Sequence, residues 1–112
     1  DFALYSGDDA TARDAMLAGF HGTISVTANA APDLMARMST AAVAGDAAAA
    51  AAADAPLAGL HRALFVEPNP IPVKWALTEL GLIRPGIRLP LVPLDPAHHE
   101  AVRAALRSAA LL

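Results

Sequence analysis

Asp1-Phe2-Ala3-Leu4-Tyr5-Ser6-Gly7-Asp8-Asp9 decides how this chain is read. The apolar run from Phe2 to Tyr5 has the length of a strand buried on both faces, and Ser6 to Asp9 is a polar turn that ends it. A short helical stretch follows, and Gly22-Thr23-Ile24-Ser25-Val26-Thr27-Ala28-Asn29 gives a second strand. Strands joined through a crossover helix run parallel, and parallel strands are normally covered on both faces. One helix cannot supply that cover. The chain is therefore expected to be the tail end of a larger β/α fold, carrying part of the function of the whole. A start on Asp1, with no initiator Met and no basic or apolar leader, fits the same expectation of truncation.

Outward from the first strand, Asp8 or Asp9 is expected to cap the helix that follows by accepting from its free N–H groups. That helix presents Ala12, Ala15, Met16 and Gly19 on one slim side. In the second strand Thr23 to Thr27 alternates: Ile24 and Val26 point one way, Thr23, Ser25 and Thr27 the other. Ala31-Pro32-Asp33 opens a second helix with proline in its first turn. Leu34, Met35, Met38 and Ala42 keep helical spacing, and Gly45 closes it. Asp46 caps a third helix through Ala47 to Ala53, an alanine run that favours helix over linker. Pro56 should kink or divide it, while Leu57, Leu60 and Leu64 continue its apolar stripe. Glu67 to Pro72 is a rigid connection into a fourth helix holding Val73, Trp75, Leu77 and Leu80, with Gly81 as its stop. Ile83 to Leu94 is an extended, proline-punctuated crossing. Asp95-Pro96 starts the last helix, which carries Val102, Leu106 and Leu111. The order is β-α-β-α and then three helices, with a natural boundary at Gly45-Asp46.

Composition narrows the partners. With 112 residues there is room for one ordinary domain. The hydrophobic share is 55%, yet much of it is alanine and only 4% of residues are aromatic. A core built that way is modest and is expected to lean on further chain or on other subunits. No cysteine is present, so disulfides and thiolate metal sites are excluded. The net charge of −3 and the scattered basic residues do not suggest nucleic acid. The longest apolar stretch is the alanine run, far short of the roughly 20 residues a bilayer-crossing helix takes.

Several residues are candidates for chemistry. In parallel β/α folds ligands sit at the carboxyl ends of strands, here Ser6 to Asp9 and Thr27 to Asn29. Gly7 would let backbone approach a ligand closely. The plainer alternative makes Gly7 a turn residue and the aspartates helix caps. Lys74, the only lysine, could in principle form a Schiff base, but its place near a helix start, with Glu67 close by, favours a solvated or salt-bridged side chain. His98-His99-Glu100 lacks the i, i+4 spacing that puts two metal ligands on one helix face, and these residues are expected to be exposed. His21 and His61 are isolated, and structural or surface roles are expected of both. Ser6, Ser25, Ser39 and Ser108 lack a nucleophile-elbow setting.

At this point the residues match a known pattern. Tyr5 to Asp9, Gly22 to Asn29 and Leu64-Phe65-Val66-Glu67-Pro68-Asn69-Pro70-Ile71-Pro72-Val73-Lys74-Trp75-Ala76-Leu77 resemble the dihydrodipicolinate synthase family. Leu89-Pro90-Leu91 and Val102-Arg103-Ala104-Ala105-Leu106 resemble its C-terminal end, so the likeness covers essentially the whole chain. The block from Glu67 to Ala76 favours the synthase over sister aldolases of the same barrel.

The resemblance implies an α/β fold: the C-terminal fragment of a (β/α)8 TIM barrel (last two strands) plus a C-terminal three-helix domain, divided as residues 1–45 and 46–112. It implies a cytoplasmic class I aldolase-type lyase, usually a homotetramer, that condenses pyruvate with aspartate semialdehyde in lysine and diaminopimelate biosynthesis. Pyruvate would be held as a Schiff base on a lysine of the sixth strand, upstream of this chain, so the chain alone is expected to be inactive. No cofactor, nucleic acid or membrane partner is expected; the rest of the barrel is. Ile24 matches an isoleucine whose backbone lines the pyruvate pocket. Gly7 matches a glycine beside that pocket, and Asp8 adjoins it. Two alternatives stay open: a non-catalytic helical interaction module derived from an enzyme tail, and a related pyruvate-dependent aldolase with another acceptor. Phe2, Leu4, Ile24 and Val26 are expected to be exposed where barrel neighbours are lacking.

Overall fold

The computed structural model describes all 112 residues. Strand β1 (Tyr5–Ser6) lies parallel to β2 (Gly22–Thr23), with Tyr5 opposite Gly22 and Ser6 opposite Thr23. The flanking backbone extends the pairing: His21 N–H donates to the Leu4 carbonyl and Ile24 N–H to the Ser6 carbonyl, both at 2.8 Å. Both strands are shorter than their apolar patterns predict. The second stops because Val26 enters the helical region (φ −74°, ψ −45°) and Thr27–Asn29 form a 3₁₀ turn. Thr23 to Thr27 therefore does not alternate across a sheet.

The crossover helix α1 (Ala12–Leu17) follows a 3₁₀ turn at Asp9–Thr11. Neither Asp8 nor Asp9 caps these turns with its side chain, contrary to the capping expectation. Asp8 Oδ2 instead accepts from the Thr11 hydroxyl at 2.6 Å, and Asp9 reaches across to the second strand segment.

The remaining helices follow their local signals. Helix α2 (Pro32–Val43) opens on Pro32 and ends before Gly45, whose φ of +79° suits glycine. Helix α3 (Ala47–Asp54) is capped by Asp46, whose Oδ1 accepts from the Ala49 N–H at 3.0 Å. Pro56 divides the alanine helix: a 3₁₀ turn at Ala55–Leu57 leads into α4 (Ala58–Ala63). Helix α5 (Ile71–Glu79) carries Pro72 in its first turn, and α6 (His99–Ser108) follows the turn that Asp95 caps through the Ala97 N–H at 2.8 Å.

One hydrophobic core joins these elements. Met16 of α1, Met35 and Met38 of α2, Leu60 of α4 and Val102 and Leu106 of α6 are all buried in a single cluster. Small residues allow close approach: at Gly59 a Cβ would sit 3.6 Å from Ala105 of α6. Phe2 (83% exposed), Ile24 (74%) and Leu4 (43%) lie outside the core, as expected for a two-stranded sheet. Val26 departs from that expectation. The turn at Thr27–Asn29 rolls its side chain half inward against the core. No helix is long and apolar enough to cross a membrane.

Candidate functional site

The carboxyl ends of the two strands meet at one edge. The Ser6 carbonyl accepts from Ile24 N–H at 2.8 Å and from the Thr23 hydroxyl at 3.1 Å. Ser6 Oγ and the Asp8 backbone exchange contacts at 3.2 Å, which folds residues 6–8 into a local turn. Ile24, Gly7 and Asp8 are thus brought together around Ser6, and all three are exposed. The glycine at position 7 answers no packing demand within the chain: no atom lies within 4 Å of the place a Cβ would take.

Behind this edge lies a buried polar chain that isolated residues in the sequence did not suggest. Asp9, 3% exposed, accepts the N–H groups of Val26 and Thr27 on Oδ2, each at 3.0 Å, while its Oδ1 is buried without a hydrogen-bond partner. Those two bonds fix the point where the second strand turns. Thr27, fully buried, places Oγ1 3.0 Å from His61 Nδ1. His61 Nε2 lies 3.0 Å from Asp54 Oδ1, and Asp54 Oδ2 lies 3.3 Å from Arg13. A carboxylate only accepts, so Nε2 carries a proton; in the neutral ring Nδ1 then accepts from the Thr27 hydroxyl. The chain ties the strand-end segment to α1, α3 and α4. The only trace of it in the sequence is His61 interrupting the stripe of Leu57, Leu60 and Leu64.

The other sequence candidates lie in the helical part. Lys74 makes no ion pair, with Glu67 or any other carboxylate, so of the two expected states, solvated or salt-bridged, the second does not hold. It is half-buried beside a cleft. His99 is not a freely exposed residue either: its ring stacks on Trp75 with centroids 4.3 Å apart and planes 18° from parallel. Its Nε2 donates to the Leu94 carbonyl at 3.2 Å. Arg103 sits 5.1 Å from the Trp75 ring centroid, a cation–π distance, and its Nε donates to Glu79 at 2.7 Å. That hydrogen bond holds the Arg103 pKa above the ordinary arginine value. Glu100 pairs with Arg107, so His98, His99 and Glu100 do not converge.

Parallel strands whose carboxyl ends share an open edge, followed by a helical tail, fit the closing segment of a β/α barrel with an added helical region. The chain belongs to the dihydrodipicolinate synthetase family, whose profile matches residues 1–109. It is 62% identical over its whole length to the 4-hydroxy-tetrahydrodipicolinate synthase of Alcanivorax borkumensis, of which it covers 38%. Among solved structures, it superposes with a TM-score of 0.97 on the chloride-inhibited dihydrodipicolinate synthase of Acinetobacter baumannii complexed with pyruvate. That protein is 51% identical, and the match covers 99% of this chain and 38% of that one. A monomeric dihydrodipicolinate synthase variant matches with a TM-score of 0.94 and 41% identity, over 100% of this chain and 37% of that one. The chain thus spans 38% of the length of the first of these relatives, and its fold is that of their C-terminal portion.

Proposed function

We propose that this chain is the C-terminal part of a class I aldolase-type lyase that condenses pyruvate with aspartate semialdehyde in lysine and diaminopimelate biosynthesis. Gly7, Asp8 and Ile24 form one wall of the pyruvate pocket. The rest of the barrel supplies the Schiff-base lysine, and the chain alone is inactive. The observation that carries this reading is the strand-end edge, where Gly7 and Ile24 are joined through the Ser6 carbonyl beside open space. The only lysine, Lys74, lies instead on α5 in the helical part. The pyruvate complex of the Acinetobacter relative supports the substrate. On the same reading residues 1–45 complete the barrel, residues 46–112 form the helical domain, and the assembled enzyme is a cytoplasmic homotetramer.

Two measurements test it. Incubation of the chain with pyruvate and borohydride should leave its mass unchanged; a covalent adduct on Lys74 overturns the proposal. Mixing the chain with the remaining N-terminal portion of the Alcanivorax relative should restore synthase activity. Gly7→Val should then raise the KM for pyruvate, because its side chain enters the open space at the strand edge. An unchanged KM refutes the placement of Gly7 in the pocket wall.

A further inference from the structure

A cleft of about 460 Å³ opens between α5 and the crossing segment that runs from Pro85 to Pro96. That volume lies in the range of small-molecule sites, about 300–1,000 Å³. Ile71, Trp75, Ile87 and Leu94 give it apolar walls, and Pro85 and Pro93 stiffen the side formed by the crossing. Such walls exclude water from an apolar body without any need for the protein to reorder.

Few polar side chains line this space. Lys74 lines the cleft as the only lysine of the chain and has no carboxylate partner. Thr78, one turn further along α5, gives its hydroxyl proton to the Lys74 carbonyl at 3.0 Å and so offers only lone pairs. His99 is held by its stack on Trp75 and by its bond to Leu94, which leaves Nδ1 uncommitted. The nearby guanidinium of Arg103 is already neutralised by Glu79. One unpaired cation set in apolar walls asks for a single negative charge on an apolar body.

We propose that this cleft binds a small monocarboxylate with a compact apolar body, its carboxylate on Lys74 and its body against Ile87, Leu94 and the prolines. This site is separate from the strand-end edge and does not depend on the reading of that edge as a pyruvate pocket.

Trp75 is the only tryptophan, so its fluorescence reports on the cleft directly. Titration of the whole chain with 3-phenylpropionate should give a saturable change in Trp75 emission. The neutral 3-phenylpropionamide should bind at least fivefold more weakly. Lys74→Met, which keeps the apolar stem, should weaken the acid at least fivefold and leave the amide unchanged; Lys74→Arg should retain the acid. Amide resonances of Ile87 and Leu94 should shift during the same titration. A change that does not saturate, equal affinity for acid and amide, or an unchanged Lys74→Met variant with intact helical circular dichroism would overturn the proposal.

Discussion

Replacing Thr27 with valine removes one hydroxyl from a fully buried position and leaves the volume nearly unchanged. In the native chain that hydroxyl satisfies His61 Nδ1 at 3.0 Å, while His61 Nε2 is held by Asp54. Valine would leave Nδ1 buried and unpaired, a loss of about 1–3 kcal/mol. This lowers the folded-to-unfolded ratio by a factor of about 5 to about 150. In a domain of this size it lowers Tm by roughly 4 °C for each kcal/mol. Urea unfolding followed by Trp75 fluorescence measures the change. The informative comparison is a double-mutant cycle with His61→Phe. With both polar partners removed nothing is left unpaired between them, so Thr27→Val should cost close to nothing in the phenylalanine background. Asp54 keeps its contact with Arg13 there. Equal cost of Thr27→Val in both backgrounds would refute the claim that the hydroxyl serves His61.

Asp46→Ala should destabilise by about 1 kcal/mol through loss of the α3 cap, and Asp46→Asn should be nearly neutral; urea midpoints check both. Leu60→Ala, at a fully buried core position, should cost about 2–5 kcal/mol by the same assay. Gly45→Val should cost about 1–2 kcal/mol: its φ is +79° and nothing lies within 4 Å of its Cβ position, so the cost is conformational and not steric. Phe2→Ser with Ile24→Ser should change stability by less than about 0.5 kcal/mol, since both side chains are exposed. The pair should reduce self-association of the chain in sedimentation velocity.

Although the start of α1 and the stop of α6 before Leu111 were not legible along the chain, the helices, most of their ends and the parallel β/α opening were. These rest on contacts within a few residues: Asp46 with Ala49, Asp95 with Ala97, the first-turn prolines Pro32 and Pro72, and the left-handed glycines Gly45 and Gly81. Gly7 was legible as the end of the first strand, because a strand's apolar run and its polar stop are adjacent in the chain, whereas Ile24 read as the interior of a longer second strand and was set beside a pocket only by the family resemblance. Strand length was different, since it depends on a partner. Asp9, 17 and 18 residues away from Val26 and Thr27, decided where the second strand turns and drew Val26 toward the core. Tertiary structure alone also joined His61 to Thr27 across 34 residues and stacked His99 on Trp75 beside an unpaired Lys74. Local hydrogen bonding and backbone preference act between near neighbours and can be read in order along the chain. A buried polar partner is chosen by which distant surfaces the core brings together, and that choice appears only once the chain has folded.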